Sequence, residues 1–147
     1  MIKIKNEDVE SICLLSTAEA EELPQWMLAN GTFWWLCSSG DKPTWAATVY
    51  GSGVIDSEGF VINDHCFGIR PVLRIKNLDT MNLKVGEVVE VFNCMAQYIG
   101  NNSVLLCENI GEGIFDWKSN NYEKSEIRRV VELWLEEERN DKRRCRL

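Results

Sequence analysis

The stretch from Gly31 to Ile75 constrains this chain's fold more than any other part of it. It opens with a dense aromatic run, Thr32-Phe33-Trp34-Trp35-Leu36-Cys37-Ser38-Ser39-Gly40, and closes with Phe67-Gly68-Ile69-Arg70-Pro71-Val72-Leu73-Arg74-Ile75. Between them Trp45 to Tyr50 reads as a strand, Gly51-Ser52-Gly53 as a turn and Val54-Ile55-Asp56 as the next strand. Ser57-Glu58-Gly59 then turns the chain into Phe60-Val61-Ile62-Asn63, and Gly68 to Ile75 forms the last strand. Short apolar runs separated by glycine turns predict an antiparallel meander. The loop Ser38 to Pro43 follows from its serine, glycine and proline content.

Residues 2–4 alternate and predict a short edge strand, and Ser11 to Leu15 is an apolar run of strand length. Ser16-x-x-Glu19 is a capping box that starts a helix. That helix runs from Thr17 to about Leu28, and Pro24 is expected to split it into two short pieces. Residues 76–82 form a polar connection to a second half that begins with a strand from Val85 to Phe92. Cys94–Ile99 and Val104–Cys107 predict a hairpin, because Gly100, Asn101 and Asn102 tolerate the positive φ such a turn needs. Residues 109–121 read as loop. Ile127, Val130, Val131, Trp134 and Leu135 then lie on one face of a helix starting near Ser125. The basic residues Lys142, Arg143, Arg144 and Arg146 suit its C-terminal end.

With 147 residues, 45% of them apolar and 27% charged, the chain is expected to fold as one domain. Its halves are 1–75 and 83–147. The formal charge of −7 argues against direct nucleic-acid or anionic-membrane binding, which needs a basic face. The N-terminal residues lack an apolar signal core and no run approaches membrane-spanning length, so the chain reads as soluble and cytoplasmic. The six cysteines form no C-x-x-C pair, and five of them sit in apolar runs. They are expected to be buried thiols rather than zinc ligands or disulfides.

Several ordered blocks resemble a bacterial and phage domain-of-unknown-function family. That family carries a W-W-L-R-S-x-G strand, glycine-turned strands and a closing G-V-R-P-A-L strand. The corresponding residues here are Trp34-Trp35-Leu36-Cys37-Ser38-Ser39-Gly40, Gly53 to Gly59, and Gly68-Ile69-Arg70-Pro71-Val72-Leu73. Cys13-Leu14-Leu15-Ser16-x-x-Glu19-Ala20 is similar to its strand-to-helix entry, and Cys37 replaces its usual arginine. Val85-Gly86-Glu87-Val88-Val89, Val104 to Ile110 and Ser125 to Arg128 resemble blocks that the family places first. The resemblance implies a circular permutation in which Gly68–Ile75 and Val85–Phe92 pair as antiparallel neighbours. It also implies an α+β, C-type-lectin-like fold with short antiparallel strands and two helices. That fold is shared in outline with formylglycine-generating enzymes, and it hosts both enzymes and pure binders.

No catalytic constellation stands out. His65 is the only histidine, and its neighbour Cys66 would point to the opposite face of a strand. The copper-binding cysteines of formylglycine-generating enzymes have no counterpart. Asn63-Asp64 sits where calcium-dependent lectins carry W-N-D, but the partner loop that would complete about six to eight oxygen ligands is missing. Gly51-Ser52-Gly53 lacks the rest of any phosphate-loop pattern and reads as a turn. Asp56 and Glu58 flank a turn and read as solvated. No cofactor, metal or catalytic residue is therefore assigned. At least one of Trp34 and Trp35 belongs to the core, whereas Trp45, following a polar loop, is either an interface anchor or a cover for the sheet edge.

These readings converge on a non-enzymatic binding protein whose partner is another protein. The expected contact face runs from Asp41 to His65 and uses Asp41, Trp45, Tyr50, Asp56, Glu58, Asn63, Asp64 and His65. The phage associations of the family point to an inhibitor of a host defence nuclease that occupies its basic surface. A carbohydrate-binding module is the alternative.

Overall fold

A computed structural model describes residues 1–141, so the basic residues from Lys142 onward lie outside it. The described chain is α+β. Strand β1 (Val9–Cys13) leads into two short helices, α1 (Thr17–Glu21) and α2 (Gln25–Leu28). The capping box is complete: Glu19 N–H donates to Ser16 Oγ, and Ser16 N–H to Glu19 Oε1. Pro24 divides the helices as expected and becomes the residue preceding α2. Strands β2 (Trp34–Ser39), β3 (Trp45–Val49), β4 (Ile55–Val61), β5 (Gly68–Ile69) and β6 (Val72–Ile75) follow. The second half holds β7 (Val88–Val91), β8 (Cys94–Gly100), β9 (Ser103–Leu106), the two-residue β10 (Gly111–Glu112) and helix α3 (Glu126–Arg139). Among the described residues no helix is long and apolar enough to cross a membrane.

The strands form two sheets, ordered β1-β6-β9-β8-β7 and β10-β5-β2-β3-β4. Several expectations change here. The run Gly68–Ile75 is not one strand: β5 belongs to the second sheet and β6 to the first, with Arg70-Pro71 at the crossing. Proline interrupts hydrogen bonding and holds its predecessor extended, which gives the chain a place to change sheets. β6 pairs with β1 and β9, whereas β7 pairs with β8, so the expected pairing of Gly68–Ile75 with Val85–Phe92 does not occur. The two strands do lie in the same sheet. Residues 2–4 contribute only a bridge from Lys3 to Glu90 beside β7.

Asp56 and Phe60 are also on one strand, not two. Thr48 faces Asp56 and Ala46 faces Phe60, so β4 accommodates extra residues in a bulge at Ser57-Glu58-Gly59. Gly59 has φ +87°, and a Cβ there would stand 2.2 Å from the Ala46 carbonyl oxygen. No other residue fits that approach.

Trp34 and Trp35 are both completely buried. Neighbouring side chains of a strand point to opposite faces, so both are buried only where both faces are covered, as they are on the interior strand β2. Trp34 packs with Leu28, Leu36, Val49, Val72 and Leu105 beneath α1 and α2, while Trp35 joins Phe67, Ile69 and Phe115 in the larger core under α3. On α3, Ile127, Val131 and Leu135 are buried and Val130 and Trp134 pack against the same core, as the periodicity predicts. The cysteines differ from expectation. Cys13 and Cys66 are exposed, and Cys37, Cys94 and Cys107 are only half-buried. Cys13 alternates outward on the edge strand β1, and Cys66 lies in a turn rather than a strand.

The side chain at the sheet crossing joins these parts. Arg70 is 1% exposed, its Nε donates to Leu106 O at 2.6 Å, and one Nη donates to Leu28 O at 3.1 Å. Its guanidinium lies 4.9 Å from the Trp34 ring centroid, and Trp34 Nε1 donates to the same Leu28 carbonyl. Burial lowers its pKa to about 10, so it remains charged at neutral pH. Arg70→Met is expected to leave Leu106 O without its donor and to cost about 3 kcal/mol. Arg70→Lys should recover little, because a single ammonium does not reproduce the forked geometry. Denaturant midpoints read at unchanged slope check both values.

Candidate functional site

Three neighbouring strands of the second sheet present one face whose composition is unusual. Trp35, Thr48 and Asp56 are direct cross-strand neighbours, and directly opposed residues share a face. Phe33 precedes Trp35 by two positions and Tyr50 follows Thr48 by two, so both project to that side. Phe60, opposite Ala46, joins them across the bulge. Phe67 arrives from the turn before β5 and stacks on Trp35 with centroids 4.6 Å apart.

The result is a continuous ribbon of rings. Tyr50 lies 4.9 Å from Phe33, Phe33 5.9 Å from Phe67, Phe67 5.1 Å from Phe60, and Phe60 6.5 Å from Trp45. Phe67 is buried at 5% exposure, but Phe33 is 48%, Phe60 43% and Tyr50 37% exposed. The ribbon therefore runs from a core ring out to solvent at both ends. Contacting exposed aromatics of this kind differ from isolated surface apolar residues, which need no explanation.

Polar groups border the rings. Tyr50 donates its hydroxyl to Asp56 Oδ2 at 3.0 Å, and Asp56 Oδ1 accepts the Gly59 N–H of the bulge at 3.2 Å. That hydrogen bond to Asp56, followed by the charges of Asp56 and Glu58, holds the Tyr50 phenol above its ordinary pKa. At the other end, Lys42 Nζ stands 4.5 Å from the Trp45 ring centroid. Thr48, beneath the rings, is fully buried, and its hydroxyl has no hydrogen-bond partner among the described residues.

Two side-chain networks position this face. Asn109 Nδ2 donates to Thr32 Oγ1, Asn30 Nδ2 donates to Asn109 Oδ1, and Thr32 donates twice to Asn30 Oδ1. They fix the segment that carries Phe33. A Cβ on Gly68 would come within 2.0 Å of Asn109 Nδ2, so glycine is what admits this network. On the far side, Asn120 Nδ2 donates to the carbonyls of Lys42 and Trp45. Asp116 orders the Asn120 loop by accepting the N–H groups of Lys118, Ser119 and Glu126.

The expected site residues divide. Tyr50 and Asp56 are joined directly, and Trp45 belongs to the ribbon through Phe60. Asp41 N–H donates to Glu58 O at 2.9 Å, which brings these two exposed acids to the same loop edge. Asn63, Asp64 and His65 form the turn after β4, where Asp64 Oδ1 accepts the Cys66 N–H and His65 is exposed. Phe33, Phe60 and Phe67 were missed by sequence reasoning. Alternation along the strands offered a signal for Phe33 with Trp35, for Thr48 with Tyr50 and for Asp56 with Phe60, but the last was hidden because Asp56 and Phe60 read as parts of two separate strands.

A separate hollow of ≈ 400 Å³ lies between the β7–β8 turn and α3, lined by Met95, Leu106, Ile110 and Trp134. Its Asn109 amide is already committed to Thr32 and Asn30. The ribbon, with exposed rings and adjoining carboxylates, is the stronger site. Among the described residues no cluster of three or more His, Cys, Asp and Glu forms a metal-ion cage.

Phe67→Ser should cost about 3–5 kcal/mol in chemical denaturation, whereas Phe60→Ser should cost about 1 kcal/mol. Equal costs would show that Phe60 belongs to the core. For Asp116, burial favours the protonated acid, but the amide donors outweigh it and hold the carboxyl below its ordinary value. A depressed carboxyl pKa adds stability that is present above the unfolded value and is lost as pH falls through the folded one. Asp116→Ala should therefore cost about 1 kcal/mol at neutral pH, and the gap from wild type should close below about pH 4.

Compared with known proteins, the chain matches no protein-family model, no curated protein and no solved structure, so its function has to be argued from the geometry of this face.

Proposed function

We propose that this chain is a non-enzymatic binding protein that recognises another protein through the aromatic ribbon of its second sheet. The observation that carries this reading is the continuity of Tyr50, Phe33, Phe67, Phe60 and Trp45, with three of the rings 37–48% exposed. Contiguous aromatics anchored on a rigid sheet supply large contact area at low entropic cost, and such residues dominate binding energy at interfaces. Asp41, Asp56, Glu58 and Asp64 border the ribbon, against Lys42 as the local base. The full chain has 23 acidic and 16 basic residues; removing Lys142, Arg143, Arg144 and Arg146 leaves 12 bases and a charge of −11 over residues 1–141. A surface of this sign favours a basic partner and speeds the encounter with it.

In its most specific form, the proposal makes the chain a phage-encoded inhibitor that covers the nucleic-acid groove of a host defence nuclease. The family resemblance and the acidic border support it. The C-type-lectin-like and permuted readings of the fold belong to the same proposal. They are supported by β6 and β7 sharing a sheet and by Arg139, near the end of α3, donating to the carbonyls of Val9 and Glu10. Joining such ends and opening the chain elsewhere is physically inexpensive.

The test is salt-dependent capture of nuclease complexes, together with nuclease activity measured with and without the chain. Phe33→Ser combined with Phe60→Ser is expected to weaken capture at least about tenfold while the fold is retained. Binding confined to glycans and abolished by a chelator would replace this reading with the carbohydrate one.

A further inference from the structure

We propose that the corner formed by Phe33, Tyr50 and Asp56 is a seat for an arginine side chain of the partner. This deepens the protein-binding reading and rests on it. The two rings lie 4.9 Å apart with planes tilted by 32°, and both are substantially exposed, so ring surface is open to a flat group. Directly beside them the Asp56 carboxylate is held in place by Tyr50 and by the Gly59 N–H. Glu58, whose backbone sits at the Asp41 edge, adds a weaker negative charge that also acts on the Tyr50 phenol.

A group that stacks on an aromatic face while directing N–H donors at a carboxylate is a guanidinium. An ammonium makes the charge contact but lacks the planar stacking and the paired donors. Neither Asp56 nor Glu58 has an ion-pair partner among the described residues. The other end of the ribbon shows the same chemistry satisfied internally, where Lys42 of this chain sits over Trp45. The Phe33–Tyr50 end has ring faces and the Asp56 carboxylate, and among the described residues no cation of its own.

Tri-arginine and tri-lysine peptides titrated into the full chain, followed by NMR shifts of assigned backbone and aromatic signals, test the seat. Tri-arginine is expected to move Phe33, Tyr50 and Asp56 signals and to bind at least about fivefold more tightly than tri-lysine. Asp56→Asn keeps the acceptor for the Gly59 N–H, so it should fold normally, yet it should weaken tri-arginine binding about fivefold or more. Tyr50→Phe, which keeps the ring, should retain most of the binding. Equal binding of the two peptides, an unchanged Asp56→Asn variant, or shifts centred on the carboxylates Glu136, Glu137 and Glu138 of α3 would each overturn the seat. If those failures occur while Phe33 and Phe60 remain essential for partner capture, the binder reading survives alone. If tri-arginine binds as expected but no protein is captured, the seat stands and the binder reading falls.

Discussion

A buried guanidinium at the point where the chain changes sheets holds this protein together. Arg70 reaches from the β5–β6 crossing to the last carbonyl of α2 and to the end of β9, and it covers the face of Trp34. These groups come from both halves of the sequence and from both sheets. Burying a cation without a carboxylate is costly, and the structure offsets that cost with charge-assisted hydrogen bonds and an aromatic face. The Leu28 carbonyl accepts from both Arg70 and Trp34, so α2, β2 and the crossing are fixed by one acceptor.

That junction makes the aromatic ribbon available. With β2 locked in the interior of the second sheet, Trp34 faces α1 and α2 while Trp35 faces the other way and supports Phe67. The exposed rings Phe33, Phe60 and Tyr50 then extend a packed core outward rather than hanging from mobile loops. Rigid anchoring lowers the entropy that binding must overcome. The bulge at Gly59 contributes too, because it sets Phe60 opposite Ala46 and supplies the N–H that orients Asp56.

Local features of the fold were legible in the sequence. Ser16 and Glu19 specify a capping box, Pro24 divides a helix, and Asn101 and Asn102 take the positive φ values of a hairpin turn. The stripe on α3 predicts its buried face. About half of the candidate site was legible as well: Trp45, Tyr50 and Asp56 were visible as residues of a loop-and-strand face. Their meaning changed once Phe33, Phe60 and Phe67 came between them. The 76–82 connection shows the same limit. It reads as a polar linker, yet Asp79 within it accepts the Tyr98 hydroxyl at 2.6 Å and the Asn102 N–H at 2.8 Å.

What the sequence determined by itself is the set of elements, because caps, turns and helical stripes depend on residues a few positions apart. Tertiary structure alone decided how those elements pair. Whether Gly68–Ile75 is one strand or two depends on which sheet has a place for each part, and Arg70 and Pro71 settle that through partners far away in the chain. Whether Phe60 stands opposite Ala46, within reach of Trp45 and Phe67, depends on a bulge that shifts the register by two residues, and the room for that bulge lies at the Ala46 carbonyl on another strand. Cross-strand register is a non-local property. The ribbon exists only once three strands have aligned.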